Sequence, residues 1–548
     1  MEVDERGPSE LKPPSESGVA ALFVGLGIGL SRVIGLVRER VLATYFGAGL
    51  HADVFSAGLR LPNVLQNLLG EGTLSASFIP AYSALLGQGR TAEAGRVAGA
   101  AFSLLLGIAG AISLLGIGLA PFLVSVFTPG FEAERRDLLI AVVRILFPMT
   151  GVLVVSAWAL GILNSHRKFF LPYFAPVLWN AAIIGTLVAF GERLDLDALV
   201  VAAAWGALLG GVLQFVVQLP AVLRLDREIR MSVGTREPAF REAVRKAGPA
   251  ILGRGVVQLS GYLDLVLASL LAIGAVARLR YAQTLYLLPI SLFAMSVAAA
   301  ALPQLARDRD GTVGVLRERT VAAVRRVAFF VVPSFVAFVA IGDVLVAGLY
   351  RAGQFGAADV EAVSLILVAY SLGLLASTTT RVYQSAFFAL RDTATPARAA
   401  FVRVLVALVT GAVLMVQFEP VTVLGLTIPA GALAEYDATG VPLGPLGLAA
   451  GASVGAWVEW AWLRRALGGR LGHVGAGARG LVRMFTAALT AAAAAYFANR
   501  ALASPQPLLA AALTAAVFGA VYFAVAAALG LEQARALPAA LVRRVRRR

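Results

Sequence analysis

The residues best placed to do chemistry are arginines standing where arginine is expensive. Arg32 and Arg38 lie in the apolar run VAALFVGLGIGLSRVIGLVRERVLATYF. A charged side chain at the centre of a membrane helix costs roughly 2.5–3.5 kcal/mol on insertion scales, so it usually faces a cavity or a partner. A guanidinium matches phosphate oxygens with two parallel hydrogen bonds. These two side chains would therefore suit a phosphate-bearing headgroup. On a helix they sit about 120° apart, which permits one wide cavity but not one narrow stripe. The competing reading is snorkelling, in which the long stem carries the charge back to the interface. Glu39 and Arg40 follow directly and read as interfacial.

Four more charges sit inside apolar segments. Arg254 and Asp264 share PAILGRGVVQLSGYLDLVLASLL. Ten residues of helix put them about 15 Å apart, so they do not pair with each other. Asp264 would bind a cation or pair with another helix, and Arg254 would face the same cavity as Arg32. Arg381 follows a Ser-Thr-Thr-Thr run, and Glu459 lies beside Trp457 and Trp460. For these four, half of a structural ion pair is an equal alternative. Gln66 and Asn67 read as packing partners.

Other chemistry is excluded. The chain has no cysteine, which removes disulfides, thiolate metal sites and thiol catalysis. His51, His166 and His473 are far apart and form no HExxH-type spacing. There is no GxxxxGK[ST] signature and no DxD before a phosphate-binding loop, so no enzyme is expected. No cofactor is expected either. A net charge of +15 on a soluble chain would suggest nucleic acid. Here the basic residues fall between apolar segments, so Arg-rich cytoplasmic loops account for it and no nucleic-acid partner is expected.

The elements that must position these residues are membrane helices. The 548 residues are 59% hydrophobic and only 14% charged, with a mean hydropathy of +0.80. Soluble domains average about 25% charged residues. Stretches 97–131, 169–191, 281–306 and 501–531 carry no charge at all. With spans of about 20 residues, the chain reads as an all-α polytopic membrane protein of about fourteen transmembrane helices. Their centres fall near residues 31, 67, 111, 150, 181, 210, 257, 292, 335, 374, 410, 455, 491 and 518. The second is interrupted by Pro62, Gly70 and Gly72.

Loop charges test that count. With the N-terminus cytoplasmic, basic residues gather in 90–96, 166–168, 224–246, 307–326, 391–398 and 464–483, and in the tail at 543–548. The opposite loops carry Glu132, Glu134, Asp137, Glu192, Asp195, Asp197, Asp359, Glu361, Glu419, Glu435 and Asp437. Only Arg278 and Arg280 run against the alternation. An even number of helices with both termini cytoplasmic is expected. The acidic opening MEVDERGPSELKPPSES lacks the basic start of a signal peptide and reads as a disordered tail.

The halves echo each other. SFIPAYS and AALPQLA are shifted by 223 residues, as are SVFTPGF and GLYRAGQF; NSHRKFFLP and ALRDTATP are shifted by 224. Six helices per half make two lobes related by a parallel pseudo-two-fold repeat, with two extra C-terminal helices. Transporters built this way hold substrate between the halves near the midplane. The expected organisation is a tail at 1–17, a first lobe at 18–225 and a linker at 226–240. A second lobe at 241–468, two helices within 469–531 and a basic tail at 532–548 complete it.

The opening SRVIGLVRERVLATYFGAGLHADVFSAGLRLPNVLQNLLGEGTLSASFIPAYS resembles the MurJ (MviN) lipid II flippases of the MOP superfamily. The resemblance rests on Ser31-Arg32, Gly35, Arg38, Phe46-Gly47-Ala48-Gly49, Asp53, Leu61-Pro62-Asn63, Glu71-Gly72 and Phe78-Ile79-Pro80. It continues in GILNSHRKFFLPYFAPVLWN, GPAILG and LPISLFAMSVAAAALPQLA. It implies a cationic cavity between the lobes and a groove for a lipid tail beside the last two helices. It implies movement of lipid II, the undecaprenyl-pyrophosphate-linked peptidoglycan precursor, between leaflets of the inner membrane, by a chain expected to be a monomer among membrane lipids. Arg32, Arg38 and Asp53 match functional positions of the family, and Glu71 lies in a family motif. Asp264 falls where some members place a carboxylate linked to sodium, and Arg381 falls at a basic position of helix ten. Coupling to sodium or to membrane potential is thereby implied. The chain departs from the family at Gln66 and Thr284, where members usually carry cavity arginines. Arg254 would then supply a replacement charge. The alternatives are transport of another undecaprenyl-linked glycan, or a non-transporting envelope scaffold.

Overall fold

The computed structural model describes residues 16–69, 74, 77–229, 240–242, 244–245, 261–291, 313–423, 426–433, 442–502 and 506–535. Glu71 and Arg254 lie outside these residues, as does most of the expected spans near 257 and 292. Nine helices among the described residues are long and apolar enough to cross a membrane. They are Thr91–Phe127, Ala133–Ser165, Phe170–Phe190, Leu196–Leu225, Gly314–Ala340, Ala357–Ala389, Ala394–Phe418, Ala478–Ala501 and Pro507–Ala528. Helices Glu16–Phe46 and Gly444–Leu471 occupy two more of the expected spans. Where the second span was expected, the described helices are Leu50–Arg60, Asn63–Leu69 and Phe78–Gly87. One break falls at Pro62, whose ring removes the amide that would continue the helix. The described β-structure is one hairpin, Val421–Val423 with Leu426–Ile428, pairing Val421 with Ile428 and Val423 with Leu426.

The surface is inverted relative to a water-soluble protein. Leu114 is 71% exposed, Phe401 64% and Phe497 67%. Such side chains scattered along long helices suit acyl chains, not water.

The chain forms two compact units. The first comprises Met1–Arg38, Leu59–Ala120 and Ala141–Gln258; the second comprises Glu39–Gly58, Pro121–Ile140 and Leu259–Arg548. The division falls inside the continuous helices Glu16–Phe46, Thr91–Phe127 and Ala133–Ser165.

In the first unit, small residues let helices approach closely, as membrane packing requires. Gly206 faces Thr186 and Gly210 faces the backbone of Trp179, which joins Phe170–Phe190 to Leu196–Val216. Some buried polar groups find partners within the unit. Trp158 donates from Nε1 to the Ala98 carbonyl at 3.0 Å, and Gln218 donates to Ser156 at 2.8 Å. Asp195 caps Leu196–Val216 by accepting from the Ala198 amide at 2.8 Å.

In the second unit, Ala394–Phe418 lies against Gly444–Leu471 along a glycine seam. Gly451 meets Gly411, Gly447 meets the backbone of Met415, and Gly455 meets the Arg403 carbonyl. The last two helices pack on each other, and Tyr522 donates to the Phe329 carbonyl of Val313–Ala340. Asp392 caps the start of Ala394–Phe418. The amide and hydroxyl of Thr395, and then Arg470, hold its carboxyl down at about 2.

The repeat is visible in backbone detail. Arg167 and Arg391, 224 residues apart, both adopt the left-handed conformation at φ 59°. Each follows a helix that closes the same way. Arg167 N–H donates to the Asn164 carbonyl and Lys168 N–H to Leu163. Arg391 N–H donates to Phe388 and Asp392 N–H to Phe387.

Candidate functional site

The first unit holds Arg32 and Arg38 on one helix, about 9 Å apart along its axis. Arg32 is exposed and forms no ion pair among the described residues. Arg38 is half-buried, with its guanidinium 4.8 Å from the Trp179 ring centroid. That cation–π contact orients the group. The helix face at Gly29 and Gly35 is open, with nothing near a would-be Cβ. Gln66 and Asn67 are half-buried in Asn63–Leu69.

The second unit places the other charges. Asp53 is fully buried on Leu50–Arg60 and forms an ion pair with Arg135. Its Oδ1 accepts from the Ala277 amide at 2.7 Å, and its Oδ2 accepts from the Gly274 amide at 2.7 Å. The carboxylate therefore caps the N-terminus of Ala275–Pro289, where the helix dipole favours negative charge. In this conformation both its oxygens are held by protein donors. Gly274, at φ 94°, approaches the Ala48 carbonyl so closely that a Cβ would overlap it.

The two arginines that broke the loop-charge alternation have acidic partners. Arg280 lies 2.8 Å from Glu39 and donates to Ser56 at 3.1 Å; Arg278 lies 3.6 Å from Asp359. A paired guanidinium contributes little net charge, which explains how two of them sit on the acidic side. Arg40 donates to the Gly348 and Leu349 carbonyls at 2.7 and 3.0 Å, the exposed ends of a helix. Tyr281 donates to the Gly47 carbonyl at 2.9 Å, and Gln354 N–H donates to Thr44 at 2.9 Å. Segments 39–58 and 121–140 are thus fastened to 259–548 by buried ion pairs and backbone hydrogen bonds. Sequence reading singled out neither Arg135 nor Arg280 as a site. The usable signal was a basic residue in an acidic loop.

Arg381 is exposed on Leu374–Ala389, in electrostatic reach of Arg403, Tyr286 and Glu459. Glu459 is buried, 3.1 Å from Arg403, and accepts from Gln384 at 3.0 Å. Two guanidiniums against one carboxylate leave a net positive patch at Arg381. Thr284 donates to the Arg280 carbonyl at 3.0 Å and carries no charge. Asp264 is half-buried in helical residues 261–269. No cluster of three or more His, Asp or Glu able to hold a metal occurs among the described residues.

This arrangement is that of a polytopic helical transporter. A solved structure described as lipid II flippase MurJ in an inward closed conformation superposes with a TM-score of 0.71 at 22% identity, covering 92% of this chain and 98% of that one. A MATE-family transporter of the MOP superfamily, inward-facing, gives 0.59 at 18% identity over 82% and 98%. The lipid II flippase MurJ of Burkholderia cenocepacia is 31% identical over 378 residues, 68% of this chain and 73% of that one. The protein of Rhizobium tropici described as a probable lipid II flippase MurJ is 32% identical over 381 residues, 67% and 70%. Residues 42–505 match the family described as lipid II flippase MurJ, and the chain belongs to that family.

Proposed function

We propose that this protein moves lipid II from the inner to the outer leaflet of the cytoplasmic membrane, by alternating access, for cell-wall synthesis. The observation that carries this reading is Arg32: an exposed guanidinium in an apolar helix, with no ion pair among the described residues. A pyrophosphate passing that position would supply the missing charge. Arg38, turned onto Trp179, and the positive patch at Arg381 would extend the same attraction. Loss of charge at Gln66 and Thr284 is compatible with this if Arg254 contributes, as the sequence suggests. The work done is binding and release rather than bond making, so the protein is read as a transporter and not an enzyme, acting as a monomer. Coupling to sodium at Asp264 or to membrane potential belongs to the same reading.

Alternating access requires the fastened segments 39–58 and 121–140 to release.

The test is rescue of growth in cells depleted of their lipid II flippase. Wild-type protein is expected to restore growth, and Arg32→Ala is expected not to, at equal membrane abundance. Normal growth with Arg32→Ala would remove that residue from the mechanism. Failure of the wild-type chain would favour another undecaprenyl-linked glycan as cargo.

A further inference from the structure

The first unit carries a groove of about 550 Å³ that the transport reading does not use. It lies where three spans end: after Ala133–Ser165, before Phe170–Phe190 and at the end of Leu196–Leu225. Its floor is apolar, with Phe170, Leu171 and Leu225, and its rim carries Arg167, Lys168 and Arg224. All three cations are exposed, and none has an acidic partner among the described residues. Nearby Phe170 and Leu223 are also exposed, at 46% and 48%, so the groove opens onto apolar surface.

The groove is built rather than incidental. Tyr82 is fully buried, and its hydroxyl lies 2.9 Å from His166 Nε2 and donates to Asp226 Oδ2 at 3.0 Å. One hydroxyl thereby ties the turn bearing Arg167 and Lys168 to the turn following Arg224. Asp226 is occupied by Tyr82 and by the Glu228 amide, so it faces inward and leaves the rim cationic. Arg167 itself holds a left-handed backbone, a place where glycine costs least, yet a cation is kept there.

We propose that this groove binds one anionic glycerophospholipid, with its phosphate held by Arg167, Lys168 and Arg224 and an acyl chain lying on Phe170, Leu171 and Leu225. Basic pockets between spanning helices suit anionic headgroups, and each cation at a membrane surface strengthens binding. Guanidinium and ammonium groups would recognise any phosphate; the apolar floor is what selects a lipid over a free anion. The proposal does not depend on the identity of the transported cargo.

The experiment is native mass spectrometry of the full chain in detergent, titrated with phosphatidylglycerol or with phosphatidylcholine of the same acyl chains. Wild-type protein is expected to retain phosphatidylglycerol at least about tenfold more tightly than phosphatidylcholine. The combined R167Q, K168Q and R224Q variant is expected to lose that preference. The charge-preserving R167K and R224K pair is expected to keep it, which separates loss of charge from loss of fold. Tyr82→Phe keeps the cations but unties the two turns, and a several-fold weakening is expected. R465Q, on a groove elsewhere, should change nothing. The proposal is overturned if the triple variant binds phosphatidylglycerol like wild type, or if R465Q lowers binding equally. It is also overturned if inorganic phosphate displaces the lipid at equal concentration.

Discussion

The structure sorts the arginines of this chain by what receives their charge. Arg135, Arg280 and Arg403 are paired with Asp53, Glu39 and Glu459. Arg32 and Arg381 have no such ion pair among the described residues. The paired set fastens the fold, and the proposed function assigns the other set to the cargo. Asp53→Asn shows the difference. It would leave Arg135, 4% exposed, without its carboxylate partner and with only Glu132 in electrostatic reach, at a cost of about 3–5 kcal/mol. A large fall in the melting temperature of the purified protein is the expected result. Replacing both partners, Asp53→Leu with Arg135→Met, is expected to cost less than Asp53→Asn alone, since no charge is then stranded. Equal losses for the single and double variants would mean that the amide hydrogen bonds of Asp53, not its charge partner, hold the segment. The sequence marked Asp53 through a family pattern. Its partner was hidden, because Arg135 lies 82 residues away in sequence and only the folded chain joins them.

At the scale of elements, glycine sets how close helices come. Gly451 and Gly411 leave no room for a Cβ between Ala394–Phe418 and Gly444–Leu471. Gly451→Val is expected to destabilise the protein by about 1–3 kcal/mol through overpacking. Gly185→Ala, with nothing near its Cβ, is expected to be neutral or to stabilise by about 0.4–1 kcal/mol. Thermal unfolding of the two variants in one detergent measures both; similar melting temperatures would argue against a tight seam. Glycines also explain part of the internal repeat read from sequence. Gly130 closes on the Ser269 carbonyl, and Gly353, at φ 54°, closes on Thr44. Both positions of that pair demand a missing side chain, so the motif reappears in each half. The left-handed Arg167 and Arg391 account for another of the three echoes. Helix breaks were less legible. Pro62 announced the one between Leu50–Arg60 and Asn63–Leu69.

For the whole molecule, span positions were legible because twenty apolar residues are a length that hydropathy measures directly. Nine expected spans are helices of the required length among the described residues. The ion-paired segments were not legible, since pairing between distant charges leaves no local periodicity. The orientation expected from loop charge is open to direct test in a chain without cysteine. In a sealed cell, Asp195→Cys is expected to react with an impermeant maleimide, and Arg90→Cys only after permeabilisation. The reverse pattern would invert the topology. The central claim, that unneutralised guanidinium groups draw a lipid-linked pyrophosphate across the membrane, is tested most directly by measuring where lipid II resides. In flippase-depleted spheroplasts, an externally added lipid II-cleaving enzyme reports the outer-leaflet fraction. Wild-type protein should restore that fraction and Arg32→Ala, at equal abundance, should leave it at the depleted level. Equal restoration by both proteins, or none by the wild type, would contradict the account.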